Sequence, residues 1–302
     1  LTNRTFEDVL DSATFAVFRE NFTRGFGADG DHLKKPEDIE YALSLGFTMI
    51  TLDLSEHIHA NADGEYSQDV RELYLGKTFR VEDHEIEFTA DELKHVTGIY
   101  GDALDFAVQM YDRFLRDGTY KAEFEISIDE TGTPTRPSEH FFVANELKRR
   151  GVVFMTIAPR FIGEFQKGID YIGDVSAFDA EMDVHAAIAR HFGHKVSVHS
   201  GSDKFSIFPS VGARTHQRYH VKTAGTNWLE AMKLVAEHAT ELYREVHAYA
   251  LTAFDEATKY YHVTTNLANI PSLDTLSDAQ LPALFENNDA RQLIHITYGL
   301  IL

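Results

Sequence analysis

The sequence contains no cysteine among its 302 residues. Disulfide bonds, thiolate-ligated zinc sites and cysteine nucleophiles are therefore all excluded. Any metal ion must be held by histidine, carboxylate or other oxygen ligands. Sixteen histidines supply the first of these ligand types in quantity.

Positive charge is also scarce, with 28 Lys and Arg against 48 Asp and Glu and a formal net charge of -20. Nucleic-acid binding requires a clustered basic face, and none is visible, so no nucleic-acid partner is expected. The same charge disfavours binding to anionic membranes. A small anionic substrate stays compatible with it, because a few Lys or Arg residues in a closed site can outweigh a distant negative surface.

Long hydrophobic runs are missing as well. No segment approaches the ~18 apolar residues of a membrane span, and no signal peptide leads the chain. We therefore expect a cytoplasmic protein without a membrane partner, and the sequence is compatible with a homo-oligomer. The chain starts at Leu1 rather than Met and ends on an apolar run. We expect further segments beyond both ends.

Short apolar runs rich in Ile, Val, Phe and Thr recur along the chain and predict strands. They cover residues 22–32, 47–57, 122–130, 152–160, 195–201, 219–225 and 293–299. Helical patterns lie between them, at 35–46, 136–151, 178–193 and 226–250. Strands that alternate with helices predict βαβ units and a parallel sheet.

From this pattern we expect an α/β fold, a single TIM-like (β/α)8 barrel domain over residues 1–302. Seven strands are visible and a barrel needs eight, so we expect the first strand upstream of residue 1. An open doubly wound sheet is the alternative, and polar residues at nearly every strand end disfavour it. Two connections are long: residues 57–118 predict a helical insertion over one barrel mouth, and residues 251–292 a loose surface excursion.

Polar side chains share one face of five predicted strands. In "EFEISIDE", Glu125 and Asp129 alternate with Phe124, Ile126 and Ile128. The apolar face suits contact with outer helices, which directs the polar face into the barrel. Buried charge is costly unless it is paired or bound to metal. The pattern therefore favours a metal site or acid/base chemistry at the barrel mouth.

Long stretches of the chain resemble the tagaturonate epimerase family. They include "GFGADGDHLKKPEDIEYALSLGFTMITLDLSEHI", "FEISIDETGTPTRPSEHFFVANELKRRGV" and "VHAAIARHFGHKVSVHSGSDKFSIFP", and the likeness spans most of residues 22–300. The family comprises bacterial, metal-dependent isomerases of hexuronate breakdown that interconvert D-tagaturonate and D-fructuronate. Some members also act slowly on fructose and tagatose. The resemblance thus implies an epimerase whose partner is a small ketouronate or ketohexose. The family's N-terminal segment is not present in this sequence.

The chemistry of this reaction restricts the route. The two ketouronates differ at C4, a carbinol carbon β to the ketone, whose proton is not acidic. No Gly-rich dinucleotide fingerprint follows any predicted strand, so no nicotinamide cofactor is expected. Retro-aldol cleavage and re-addition is the other route, and it needs a divalent cation with acid/base groups. Mn, Ni, Zn, Fe and Co all accept mixed His and carboxylate ligands.

Strand-end position and face suggest roles for individual residues. The predicted metal ligands are Glu125, His199 and His220. Candidate acid/base or supporting groups are Asp31, Asp53 and Asp129. Candidates for the substrate carboxylate are Arg160, Lys204 and Lys222. His32 and His295 are candidates for a fourth ligand or for contacts with sugar hydroxyls.

Two other functions compete with this interpretation. A zinc-dependent barrel hydrolase would use the "HIH" motif at residues 57–59, but it would normally have an Asp on the last strand, which "LIHITYG" lacks. A non-catalytic sugar-acid-binding barrel would have no need of so many inward-facing acids. The epimerase is the favoured reading.

Overall fold

The computed structural model describes residues 4–59, 64–223 and 227–302. The strands of this part are β1 (Asp29–Leu33), β2 (Met49–Asp53), β3 (Lys77–Val81), β4 (His84–Phe88), β5 (Glu123–Ile128), β6 (Thr156–Pro159), β7 (Lys195–Val198) and β8 (Tyr219–Val221). Six of them form one sheet in the order β1-β2-β5-β6-β7-β8, and every neighbouring pair is parallel. The remaining two, β3 and β4, form an antiparallel hairpin.

The helices are α1 (Phe6–Arg19), α2 (Pro36–Ser44), α3 (Gln68–Tyr74), α4 (Ala90–Phe114), α5 (Pro137–Arg149), α6 (Val175–Phe192), α7 (Phe208–Arg214), α8 (Asn227–His238), α9 (Thr240–Ala257), α10 (Asn288–Ile296) and α11 (Tyr298–Ile301). Pro36 and Pro137 stand in first turns, where a missing N–H costs no hydrogen bond. Gly193 ends α6 at a φ of 87°, a conformation that suits glycine. No described helix has the length and apolar content that a membrane crossing requires.

The sheet is strongly curved, as a side-chain contact between its two edge strands shows. Lys222, just after β8, forms an ion pair with Asp31 of β1. In a flat sheet, strands ~4.8 Å apart would hold these edges about 24 Å from each other. The strand order also follows chain order without a reversal. A doubly wound sheet requires such a reversal, so that alternative is excluded.

Alternation along the strands separates two faces, as predicted. Thr51 pairs with Glu125 and Asp53 with Ser127 across β2 and β5. Leu52 and Ile126 point to the opposite face, where they are fully buried in the core formed with the helices. The polar residues of the central strands therefore share the concave face.

The segment predicted as a helical insertion, residues 57–118, is largely helical. It contains α3, the β3–β4 hairpin, which was not predicted, and α4. Buried residues of α4, among them Ala103 and Leu104, belong to the same core as Phe124 of β5. Helix α4 also contacts α5. It is therefore the crossover helix between β2 and β5 and not a cover over the mouth.

The predicted strand at 293–299 is wrong, because these residues form the end of α10 and then α11. The Asn287 side chain caps α10 by accepting a hydrogen bond from the Ala290 N–H at 2.9 Å. Leu293 and Ile294 are buried in a second core with Leu229 of α8. The cap and this packing override the strand-like composition of "LIHITYG".

The long helix predicted over 226–250 is split into α8 and α9 at Ala239, and its first residue, Thr226, lies outside the described residues. The following excursion is less loose than predicted. Its short 3₁₀ turns bury Leu281, Leu284 and Phe285 in the second core. Helices α8 to α10 and these turns thus form a helical layer beside the sheet.

Candidate active site

A cavity of about 690 Å³ lies at the carboxyl ends of the parallel strands. Strands β1 and β8 and the segments that follow β5, β6, β7 and β8 contribute to its walls. The charged residues and histidines that these segments place there are Asp29, Asp31, His32, Asp129, Glu130, Glu164, Lys167, His199, His220 and Lys222. This location is where function concentrates in barrel-like parallel sheets.

Glu125 of β5 lies fully buried beneath the cavity and joins two histidines. Its Oε1 lies 2.7 Å from His199 Nε2, and its Oε2 lies 3.0 Å from His220 Nδ1. The Thr156 hydroxyl also donates to Oε2 at 2.5 Å, and the Thr51 hydroxyl lies between Oε1, at 3.1 Å, and Asp29 Oδ2, at 2.9 Å. Burial alone would raise the pKa of Glu125, but the hydrogen bonds from His199 and His220 outweigh it and hold the pKa well below its usual range.

His199 lies between two carboxylates. Its Nε2 faces Glu125 and its Nδ1 lies 3.0 Å from Asp129 Oδ2. Burial opposes a charged ring, yet the bonds to Asp129 and Glu125 raise the pKa of His199 to about 10. A neutral imidazole has a single N–H and cannot donate to both carboxylates. A positive charge, from a second ring proton or from a cation, is therefore needed between the two carboxylates.

His32 and Asp53 form a second pair at the ends of β1 and β2. His32 Nδ1 lies 3.0 Å from Asp53 Oδ2, and Asp53 Oδ1 accepts from the Ser55 N–H at 2.9 Å. Burial raises the pKa of Asp53, but the bonds from His32 and Ser55 hold it well below its usual range. His32 has a φ of 52°, uncommon for a residue other than glycine. Its ring meets that of His199 edge-on, with centroids 5.0 Å apart.

These residues fit a divalent cation. Donor atoms of His32, Asp129 and His199 all lie within 4.8 Å of one another, and those of His32, Asp53 and Glu130 form a neighbouring group. Two imidazoles with one carboxylate suit Mn, Fe, Co, Ni or Zn. The predicted ligands Glu125, His199 and His220 are in direct contact, and His199 is the member they share with the first group.

The structure brings most of the predicted residues together. Asp31, His32, Asp129, His199, His220 and Lys222 line the cavity. Asp53 and Glu125 lie behind it and hold cavity histidines. Arg160 lines an adjoining cavity of about 180 Å³, which shares Asp129 and His199 as walls.

Two predicted residues, Lys204 and His295, are not brought to the cavity. Lys204 is fully buried, and its Nζ donates to the carbonyl oxygens of Gln166, Ile169 and Ser202 at 2.8, 2.6 and 2.8 Å. It therefore ties two loops together instead of facing a substrate. His295 lies on α10, not on a strand, and burial lowers its pKa to about 4.

The site residues proposed from the sequence leave out several residues of the cavity. Asp29 stands two positions before Asp31 on β1, so alternation could have placed both on the same face. Burial raises the pKa of Asp29, although Lys222 and Thr51 act in the opposite direction. Lys167 and the segment 260–262 lie in loops without periodicity, and no sequence signal marked them.

The "HIH" motif, on which the hydrolase alternative depends, lies away from this site. The ring of His57 stacks on Phe106 with centroids 4.1 Å apart. The Nε2 of His59 lies 2.8 Å from Asp102 Oδ2 on α4. Neither histidine is among the described walls of the cavity.

Comparison with known proteins agrees with the earlier resemblance. A family model described as tagaturonate epimerase matches residues 1–302. A tagaturonate/fructuronate epimerase of Thermotoga maritima is 45% identical over 314 residues, covering 100% of this chain and 65% of that protein.

Crystal structures of a fructuronate-tagaturonate epimerase from Cohnella laeviribosi, native and with glycerol, superpose with TM-scores of 0.94. Their sequences are 52% and 53% identical to this one, and each superposition covers 99% of this chain and 64% of the other chain. The chain thus spans somewhat less than two thirds of the length of these relatives. It belongs to the tagaturonate epimerase family.

Proposed function

We propose that this chain is the metal-dependent part of an epimerase that interconverts D-tagaturonate and D-fructuronate at C4, with D-tagatose and D-fructose as poorer substrates. The observation that carries the proposal is the convergence of His32, Asp129 and His199 on one wall of the cavity. The names of the similar epimerases support the choice of substrate.

His32, Asp129 and His199 are the proposed ligands of a divalent cation. When bound, this cation would polarise the substrate oxygens and stabilise the negative charge that develops on them. Glu125 and His220, predicted as ligands from the sequence, adjoin the group through His199 and orient it. Asp53 fixes the His32 ring through Nδ1. Ligand histidines usually depend on such hydrogen bonds for their orientation.

The proposed reaction is a retro-aldol cleavage followed by re-addition. A base removes the proton of the C4 hydroxyl, the C3–C4 electron pair moves toward the C2 carbonyl, and C4 becomes an aldehyde. The aldehyde rotates, the C3–C4 bond forms again on its other face, and the proton returns to the C4 oxygen. Atoms and electrons balance without a redox cofactor.

Asp31 and Lys222 are the proposed proton-exchange pair. Both line the cavity, and they are in contact with each other. Burial lowers the pKa of Lys222 to about 8, although Asp29 opposes this effect. A pKa near the working pH suits a group that gives and takes a proton in one cycle.

The arc of parallel strands is further proposed to be part of a TIM-like (β/α)8 barrel. The strand order without reversal and the contact between the two edge strands support this proposal. A crystal structure of the protein would test it directly, since an open sheet would contradict it.

The central experiment compares protein loaded with Mn, Ni, Zn, Fe or Co with chelated protein, each incubated with D-fructuronate. We expect D-tagaturonate to appear by NMR in at least one metal-loaded sample and to stop forming after chelation. In deuterated water, C4 should keep its original hydrogen. Absence of conversion in every metal state would contradict the epimerase proposal, and deuterium at C4 would contradict the retro-aldol route.

A further inference from the structure

Lys167 is a cavity residue whose ammonium group lacks a carboxylate partner among the described residues. Its Nζ donates to the Ser200 hydroxyl at 3.1 Å, and no described carboxylate oxygen lies within 4.0 Å of it. The other lysine of the cavity, Lys222, pairs with Asp31 and lies 3.9 Å from Glu125. The positive charge of Lys167 is therefore not balanced by a direct ion pair with a described residue.

The loop that carries Lys167 is held in place from both sides. Lys204 donates to the carbonyl of Gln166 at 2.8 Å, and Arg291 donates to the carbonyl of Gly168 at 2.8 Å. The Gln166 side chain is itself buried, and its Oε1 accepts from the backbone N–H of Thr264, in the loop after α9, at 2.9 Å. The position of Lys167 is therefore set before any ligand arrives, which lowers the entropy lost on binding.

An ammonium group in such a place favours an anionic ligand. Burial lowers the pKa of Lys167, and the charge of Asp129 only partly offsets this. A charge removed from water without a counter-ion is costly, and a bound carboxylate relieves that cost. Ser200, which holds the Lys167 ammonium, directly follows His199 in the chain. The lysine and the proposed metal ligands therefore face the same space.

We propose that Lys167 binds the carboxylate of the hexuronate and so sets the preference for ketouronates over neutral ketohexoses. This inference rests on the proposed function and names a residue that determines its specificity. Arg160, the residue suggested from the sequence for this role, lies in the smaller adjoining cavity. It is the competing candidate for this contact, because the cavity that it lines also has His199 as a wall.

The test compares steady-state kinetics of metal-loaded wild type, Lys167→Met, Lys167→Arg and Arg160→Met with D-fructuronate and with D-fructose. Loss of a charged hydrogen-bonding partner predicts a KM for D-fructuronate raised about 50-fold in Lys167→Met, with kcat changed less than about threefold. The kcat/KM for D-fructose should change less than about threefold, because this sugar has no carboxylate. Lys167→Arg should restore most of the affinity, and Arg160→Met should raise the KM for D-fructuronate much less than Lys167→Met does.

Three results would overturn the assignment. The first is an unchanged KM for D-fructuronate in Lys167→Met, and the second is the KM effect appearing in Arg160→Met instead. The third is an equal loss of kcat/KM for both sugars, which would indicate a structural role. Thermal unfolding of every variant distinguishes misfolding, and Lys167→Arg decides the case if Lys167→Met is unstable. Wild-type protein that converts neither sugar would instead refute the proposed function, and this inference with it.

Discussion

Three fully buried histidines outside the site make the stability of this protein sensitive to acid. His140 Nδ1 lies 2.9 Å from His185 Nδ1, and His140 Nε2 lies 2.9 Å from His194 Nε2. At one end, His185 Nε2 lies 3.1 Å from the carbonyl oxygen of Thr135. A carbonyl can only accept, so His185 carries its proton on Nε2 and accepts on Nδ1. His194 then donates to His140 and His140 donates to His185, so all three rings are neutral, and the Nδ1 of His194 is left without a partner among the described residues.

An extra proton would place two N–H donors face to face at His140 or His185, and at His194 it would leave a buried, charged Nδ1–H without an acceptor among the described residues. Burial lowers the pKa of His185 to about 4 and, with Lys148 and Arg218 nearby, that of His194 to about 3. The unfolded chain titrates near the ordinary value of about 6.5 and so binds more protons between these values. The contribution of these neutral histidines to the free energy of unfolding is therefore fully present above pH 6.5 and is lost as the pH falls below that value. Each such histidine lowers the free energy of unfolding by about 2 kcal/mol when the pH falls from 7 to 5.

The informative perturbation is His194→Gln, which keeps an N–H donor near His140 Nε2 and removes one titrating group. Urea unfolding at pH 7 and pH 5 should show a loss of stability about 2 kcal/mol smaller than in wild type. His238→Gln is the control, since it removes an exposed histidine. Equal losses in wild type and His194→Gln would refute the claim that His194 is held neutral by burial.

Three further substitutions probe the site and its support. Glu125→Gln removes the negative charge that joins two histidines. Calorimetric titration with Mn²⁺ or Zn²⁺ should show a metal affinity about 10- to 100-fold lower than in wild type. An unchanged affinity would show that Glu125 does not support the proposed metal site. Asp53→Asn should lower kcat about 10-fold or more by freeing the His32 ring, whereas Asp105→Asn, on the outer helix α4, should not. Lys204→Met leaves three carbonyl groups without their donor and should cost roughly 2–4 kcal/mol in urea unfolding; an unchanged midpoint would show that other donors replace it.

Alternation along buried strands predicted much of the site from the sequence. Glu125 lies between Phe124 and Ile126, and His199 follows Val196 and Val198. These apolar residues face the helices, so the direction of Glu125 and His199 follows from the period of two. The same reasoning placed Asp53 on the correct face of the sheet. It did not show that the Asp53 carboxylate would pair with His32. Strand periodicity fixes the face of a side chain, while the partners depend on the register and curvature of the sheet.

Loops and the C-terminal segment were not predictable in this way. Lys204 follows β7 by only a few residues, but its backbone turns inward, and the side chain ends on three carbonyl groups. The run "LIHITYG" has the composition of a strand, and only the Asn287 cap and the packing against α8 make it helical. In both cases contacts distant in sequence decide the structure.

The charges of the cavity connect the proposed cation with the proposed substrate. Its described walls carry five carboxylates, on Asp29, Asp31, Asp129, Glu130 and Glu164, against two ammonium groups, on Lys167 and Lys222. An anionic sugar would be repelled by such walls unless further positive charge were present. The proposed cation at His32, Asp129 and His199 would supply this charge on one side, and Lys167 would supply a directed contact for the carboxylate. The acidic walls would thus be compatible with the proposed uronate substrate, because they would first attract the proposed cation.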